Sequence, residues 1–280
     1  MGSFRGHAVP GTLFLVVGIW HTLNSLLKYV SNPKGFQGRV WHALPRVTGS
    51  LRFLELYIIT LGALLDLCIE FFYSPHFQYF VDGALNAKHL NNFEHSAMLL
   101  MFFVLGAVAL FIEAAGVLHL PPGALNIIAG MAFTAEFLLF YFHSTTHAGL
   151  EGRYHQLLVY LIGLCILFSC LGAAFPQSFV VDLASGISIT LQGLWFYVVA
   201  MALYGSWVPL GCKGSETGIK CDAPAYETRG QSLANLQFNF LIVSVLGAVT
   251  VLYAVAAHFK GHPDVFYVDE FDAKAAAAST

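Results

Sequence analysis

Seven stretches of this chain run for some 20 residues almost without charge, and polar, Pro- and Gly-bearing segments separate them. A helix needs about 20 mostly apolar residues to cross a bilayer. The stretches at 11–30, 50–73, 95–116, 123–147, 152–175, 179–204 and 236–259 meet that length. Pro121-Pro122 and Pro176 mark two tight turns, and Gly149 and Gly152 punctuate a third. Longer polar connections cover 31–49, 74–94 and 205–235, the last rich in Gly, Ser, Lys and Glu, as surface loops are. The pattern predicts an all-α fold: a seven-transmembrane helix bundle in one polytopic domain over residues 1–262. The segment 263–280 reads as a disordered tail. No basic stretch and cleavage site precede the first apolar run, so it is read as a retained span.

Composition removes the soluble alternative. The chain is 57% hydrophobic and only 10% charged, whereas soluble domains carry about 25% charged residues. Its net charge of -3 and scattered basic residues leave no footprint for nucleic acid. Membrane lipid is the expected surrounding partner. Alternating the spans assigns the N-terminus, the 74–94 loop, the 148–151 turn and the 205–235 loop to one end, here end A. The 31–49 loop, both Pro turns and the C-terminus fall at end B. Lys28, Lys34, Arg39, Arg46 and Arg52 gather at end B, so the positive-inside bias predicts a cytoplasmic C-terminus and a lumenal or extracellular N-terminus. Cys212 and Cys221 share one end-A loop; either they form a disulfide in an oxidising compartment or they remain thiols.

Against this apolar background the polar positions concentrate at end A. Glu136, His143 and His147 stand at i, i+7 and i+11, within roughly 40° of one another on a helix. Glu151 and His155 share a face at the start of the next span. Glu94 and His95 open span 3, while Asp66 and Glu70 close span 2. Tyr154, Gln192, Trp195 and Asn239 complete the expected lining of an end-A pocket, with Gln192 and Asn239 also suited to interhelical hydrogen bonds. End B carries less: Glu55, Glu113, Asp182, and His21 with Asn24. Neutral imidazole is the commonest protein ligand for transition metals, and carboxylates complete such sites. The expectation is therefore a metal centre of His95, His143, His147 and His155, with the deeper Glu136 as acid/base or ligand. Zinc suits this set first, with iron or haem as alternatives. The aromatic run Phe133, Phe137, Phe140, Tyr141 and Phe142 reads as lipid-facing and packing surface.

The opening MGSFRGHAVPGTLFLVVGIWH, the H-S-x-x-H-x-G-x-E-G-x-Y-H run from His143 to His155, and LQGLWF at 191–196 resemble the transmembrane protein 45 family. The Cys212…Cys221 loop followed by SLANLQFNF at 232–240 is similar to its plant branch. The resemblance covers nearly the whole chain. It implies a seven-helix protein of the endomembranes (Golgi or ER) or plasma membrane, with plant members associated with defence responses and no established reaction. It also implies that His95, His143, His147, His155 and Glu136 occupy positions where the animal branch keeps a similar pattern. His21 stands where that branch more often has an aromatic residue.

Three functions fit these expectations. The first is a metal-dependent hydrolase acting on a lipid or other apolar small molecule, in which the metal activates water and a carboxylate moves the proton. The second is a metal or proton conduit, with Glu55, Asp66 and Glu70 as a track along span 2. The third is a non-catalytic trafficking or scaffold protein whose polar groups only hold helices together.

Overall fold

The computed structural model describes residues 3–44, 47–116, 120–146, 149–215 and 218–259. His147 and the 263–280 tail lie outside the described residues. Seven helices long and apolar enough to cross a membrane account for most of the described residues. They are α1 (Phe4–Ser31), α2 (Leu54–Cys68), α3 (Leu90–Ala115), α4 (Ala124–Thr146), α5 (Gly149–Ala174), α6 (Phe179–Tyr204) and α7 (Pro224–His258). Two helices begin well before their apolar runs. α1 starts at Phe4 instead of 11, because Ser3 caps it, its Oγ accepting from the Gly6 N–H at 3.0 Å. Pro10 is absorbed inside that helix for the loss of one backbone hydrogen bond. α7 starts at Pro224 instead of 236, with proline in the first turn, where its missing N–H is harmless. α2 widens at its end into a π-helical turn, Ile69–Tyr73, which carries Glu70.

Strands are minor. Phe80–Val81 (β1) pairs with Ala84–Leu85 (β2), and Cys212–Ser215 (β3) pairs with Gly218–Cys221 (β4). Cys212 faces Cys221 in the second hairpin, and the two are joined as a disulfide.

The helices pack in the order α2–α3–α4–α5–α6–α1, and α7 lies outside against α5, α6 and α1. α6 is innermost: 72% of its most apolar stretch is buried, against 17% for α2 and for α7. The closest pair is α1 with α6, which run antiparallel and meet backbone to backbone. A Cβ on Gly18 would lie 2.5 Å from the Thr190 nitrogen, and one on Gly193 would lie 2.5 Å from the Leu15 nitrogen. Gly11 and Gly186 are similarly hemmed in, against Phe196 and Thr22. In lipid there is no hydrophobic drive between helices, so small residues that let backbones touch hold such pairs together. Beside this seam, Phe14 stacks on Phe196 at 5.8 Å and meets Phe102 edge-on at 5.5 Å. Of the aromatic run read as lipid-facing and packing surface, Phe133 and Phe140 pack into this core, because α4 turns that face toward α3 and α5, and Tyr141 and Phe142 face outward.

Candidate metal centre and buried carboxyl

The end of α4 and the start of α5 bring His143, Glu151 and His155 together, with one ligand atom from each inside a 4.8 Å sphere of mutual distance. α4 ends at Thr146, α5 starts at Gly149 and the two helices pack on each other, so residues about a dozen positions apart meet on facing surfaces. The His143 and His155 rings stand edge to face at 4.8 Å. Glu151 and His155 are buried and His143 half-buried. Two further residues join from other helices. His7, from α1, places its Nε2 3.2 Å from His155 Nε2. Tyr204, at the end of α6, donates from its hydroxyl to Glu151 Oε1 at 3.0 Å. β4 lies against α5 beside this cluster, and a side chain at Gly218 would run into the Glu151 carboxylate.

The hydrogen bonds fix how these rings present themselves. His7 Nδ1 meets the Ser3 carbonyl at 2.9 Å, and His155 Nδ1 meets the Glu151 carbonyl at 2.9 Å. A carbonyl only accepts, so both Nδ1 atoms carry the proton and both Nε2 atoms present lone pairs. Those lone pairs face each other across 3.2 Å. A shared proton or a cation bound by both relieves the repulsion. For two nitrogens at about 2.0–2.1 Å from one tetrahedral zinc, simple trigonometry gives a separation of about 3.3 Å. Metal-bound histidines also characteristically donate their other ring N–H to a carbonyl or carboxylate.

Of the expected four-histidine set, His143 and His155 come together. His95 does not join His143 and His155; its Nδ1 lies 3.8 Å from Glu70 Oε2, because α3 packs on α2. Glu70 Oε2 also accepts from Asn92 Nδ2 at 2.5 Å. His147 falls outside the described residues. Glu94 is exposed, and so is Asn239, whose amide donates to the Asn235 carbonyl of its own helix. Tyr154 and Trp195 are fully buried. They stack in the core at 5.7 Å, Trp195 Nε1 donating to the Tyr154 carbonyl and Tyr154 OH donating to Gln237 Oε1.

Glu136 is wholly buried on α4, two turns (about 10 Å) from His143. Its Oε1 accepts from Gln192 Nε2 at 2.8 Å, and its Oε2 has no partner among the described residues. Gln192 in turn accepts from the Cys165 thiol at 3.2 Å. Glu136 borders a cavity of about 140 Å³. At end A this cavity touches Asp66, Glu70 and His95, and at end B it touches His21, Arg39 and Asp182, while Phe14, Phe102 and Phe133 narrow its middle. Phe140 and Phe196 stand between it and the imidazoles, each ring centroid 6.2 Å from a histidine.

Sequence reasoning missed His7 and Tyr204 at end A, and at end B it missed how closely His21, His42 and Asp182 converge. A readable signal existed for His7. The buried face of α1 runs His7, Gly11, Gly18, His21, Thr22 and Ser25, small or polar until it ends in Leu26 and Val30, which in a membrane helix marks the interior side. His42 lies in the connection between α1 and α2, outside the spans. Burial, reinforced by nearby His21, Lys28 and Arg39, holds its imidazole well below the usual histidine range, in the neutral form.

The region containing Glu136, His143, Glu151, His155 and Tyr204 has a recognisable counterpart: residues 122–254, which run from the turn before α4 through most of α7, match the model of a family of unknown function (DUF716).

Proposed function

We propose that this chain is a metal-binding integral membrane protein in which His143, Glu151 and His155, with His7 adjoining, hold a divalent ion of zinc type. The facing Nε2 lone pairs of His7 and His155 carry this reading, because they form a ready pair of nitrogen donors whose ring tautomers are already fixed. When bound, such an ion supplies Lewis acidity and an activated water. The chain's own contribution is to hold the imidazoles, to keep Glu151 in place through Tyr204, and to set β4 beside the site. The hairpin's disulfide supports assigning end A to a lumenal or extracellular compartment. For chemistry, the mostly apolar cavity and the half-partnered Glu136 favour proton transfer on a lipid-like or other apolar substrate.

One observation favours a second reading, a proton or metal conduit: the cavity that touches Glu136 reaches polar groups at both ends. Elemental analysis of the purified full-length protein decides the metal question. Zinc content that falls by one equivalent per chain in His143→Ala/His155→Ala is the expected result; wild-type protein without bound metal removes the proposal. Metal-dependent ester hydrolysis in lipid vesicles, against ion flux across them, then separates enzyme from conduit.

A further inference from the structure

A second set of ligand-type side chains is buried at end B, built from other residues and independent of the end-A centre. His21 comes from α1, Asp182 from α6, and His42 from the connection that follows α1. One ligand atom from each lies within 4.8 Å of the others. Their relative exposures are 3%, 8% and 1%, and Glu55 beside them, in the first turn of α2, is 4% exposed.

Part of this cluster is firmly held. Asp182 Oδ2 accepts from Ser25 Oγ at 2.7 Å, and Oδ1 accepts from the Arg39 backbone N–H at 3.2 Å. His21 Nε2 stands 3.3 Å from the same Oδ1. Glu55 Oε2 accepts from the His42 backbone N–H at 2.5 Å. The His21 and His42 rings meet edge to face at 4.8 Å. Among the described residues, both ring nitrogens of His42, Nδ1 of His21 and Oε1 of Glu55 lack a hydrogen-bond partner of good geometry, the Trp20 indole standing near the Glu55 carboxyl. Buried polar atoms are nearly always paired, and a group of orphans in one place points to an ion or water that completes them.

We propose that His21, His42 and Asp182 form a second divalent-metal site of zinc type, with Glu55 as its neighbouring carboxylate. Two imidazoles and a carboxylate are the donor set zinc takes when one position is left open. Imidazole ligates in its neutral form. Ser25 and the Arg39 backbone N–H, which donate to Asp182, and Glu55, which accepts from the His42 backbone N–H, orient the ligands as outer-shell groups do at metal centres. Asp182 and Glu55 also supply negative charge for a cation. Arg39 and Lys28 stand close enough to act on His42 and oppose it, which sets the affinity below that of an isolated site of the same ligands.

Full-length protein in detergent, stripped with chelator, reloaded with Zn²⁺ and desalted, gives the test by elemental analysis. In the His143→Ala/His155→Ala background about one zinc per chain is expected to remain, and to vanish when His42→Gln is added. Co²⁺ loaded into the same background should show ligand-field absorption that Asp182→Asn abolishes. Folding is checked by size exclusion and circular dichroism. Should the background fail to fold, His42→Gln alone must lower the wild-type zinc content by one equivalent. A folded background without zinc, or zinc unaffected by His42→Gln, overturns the site and leaves a buried hydrogen-bond network. The end-A reading fails separately, when removing His143 and His155 leaves the zinc content unchanged.

Discussion

At end A the imidazoles are anchored by their own helices, whereas at end B the ligand-type groups are anchored across the bundle. His7 and His155 each bond the carbonyl four residues earlier, at Ser3 and Glu151, so their orientation is set as soon as α1 and α5 form. Asp182 instead takes its bonds from Ser25 and from the Arg39 backbone, 157 and 143 residues away in sequence. That arrangement exists only after α6 has docked on α1 and the connection after α1 has folded over them. End A is thus locally written and end B is a product of tertiary assembly. Ligand loading at the two ends should respond differently to the same disturbance of the bundle.

The strongest disturbance is Gly193→Val, because the added side chain meets the Leu15 backbone, which cannot move aside. Overpacking costs about 1–3 kcal/mol, and backbone obstruction belongs at the upper end of that range. Thermal unfolding in detergent should show the drop in Tm, and zinc should leave end B while His143, Glu151 and His155 on the α4–α5 pair retain it at end A, weakened by the displacement of His7 with α1. Equal loss at both ends would dissolve the distinction between them. Gly218→Val should act the other way. Gly218 has φ +111 and its side chain would press on the Glu151 carboxylate, so zinc affinity at end A should fall about tenfold, equivalent to about 1.4 kcal/mol, with end B unchanged in competition titrations. His95→Ala is the mildest. A part-exposed His–Glu pair contributes about 0–1 kcal/mol, and zinc content at both ends should stay as in the wild type. A lost equivalent would return His95 to the end-A ligand set.

The seven spans were legible because lipid demands long uncharged runs, and each run became a helix. Helix starts were less legible, since Ser3 capping and Pro224 at the first turn act in polar sequence where hydropathy is silent. The pairing of His143 with Glu151 and His155 could be read because a single turn separates them. The place of His95 could not, as it depends on whether α3 presents it to α2 or to α5, and α2 is its neighbour. Nor could end B, where residues 21, 42, 55 and 182 share no local spacing. Glu136 was expected as a deep carboxyl, and its Gln192 partner follows from how α6 sits at the centre of the bundle.

The glycine seam has a mechanical corollary. Where two helices touch through their backbones, no side chain is available to flex or repack between them, so the pair lacks compliance along its length. Any sliding of α1 against α6 would carry His7 past Tyr204 at one membrane face and His21 past Asp182 at the other by the same distance. The two faces are coupled like the teeth of a single rack.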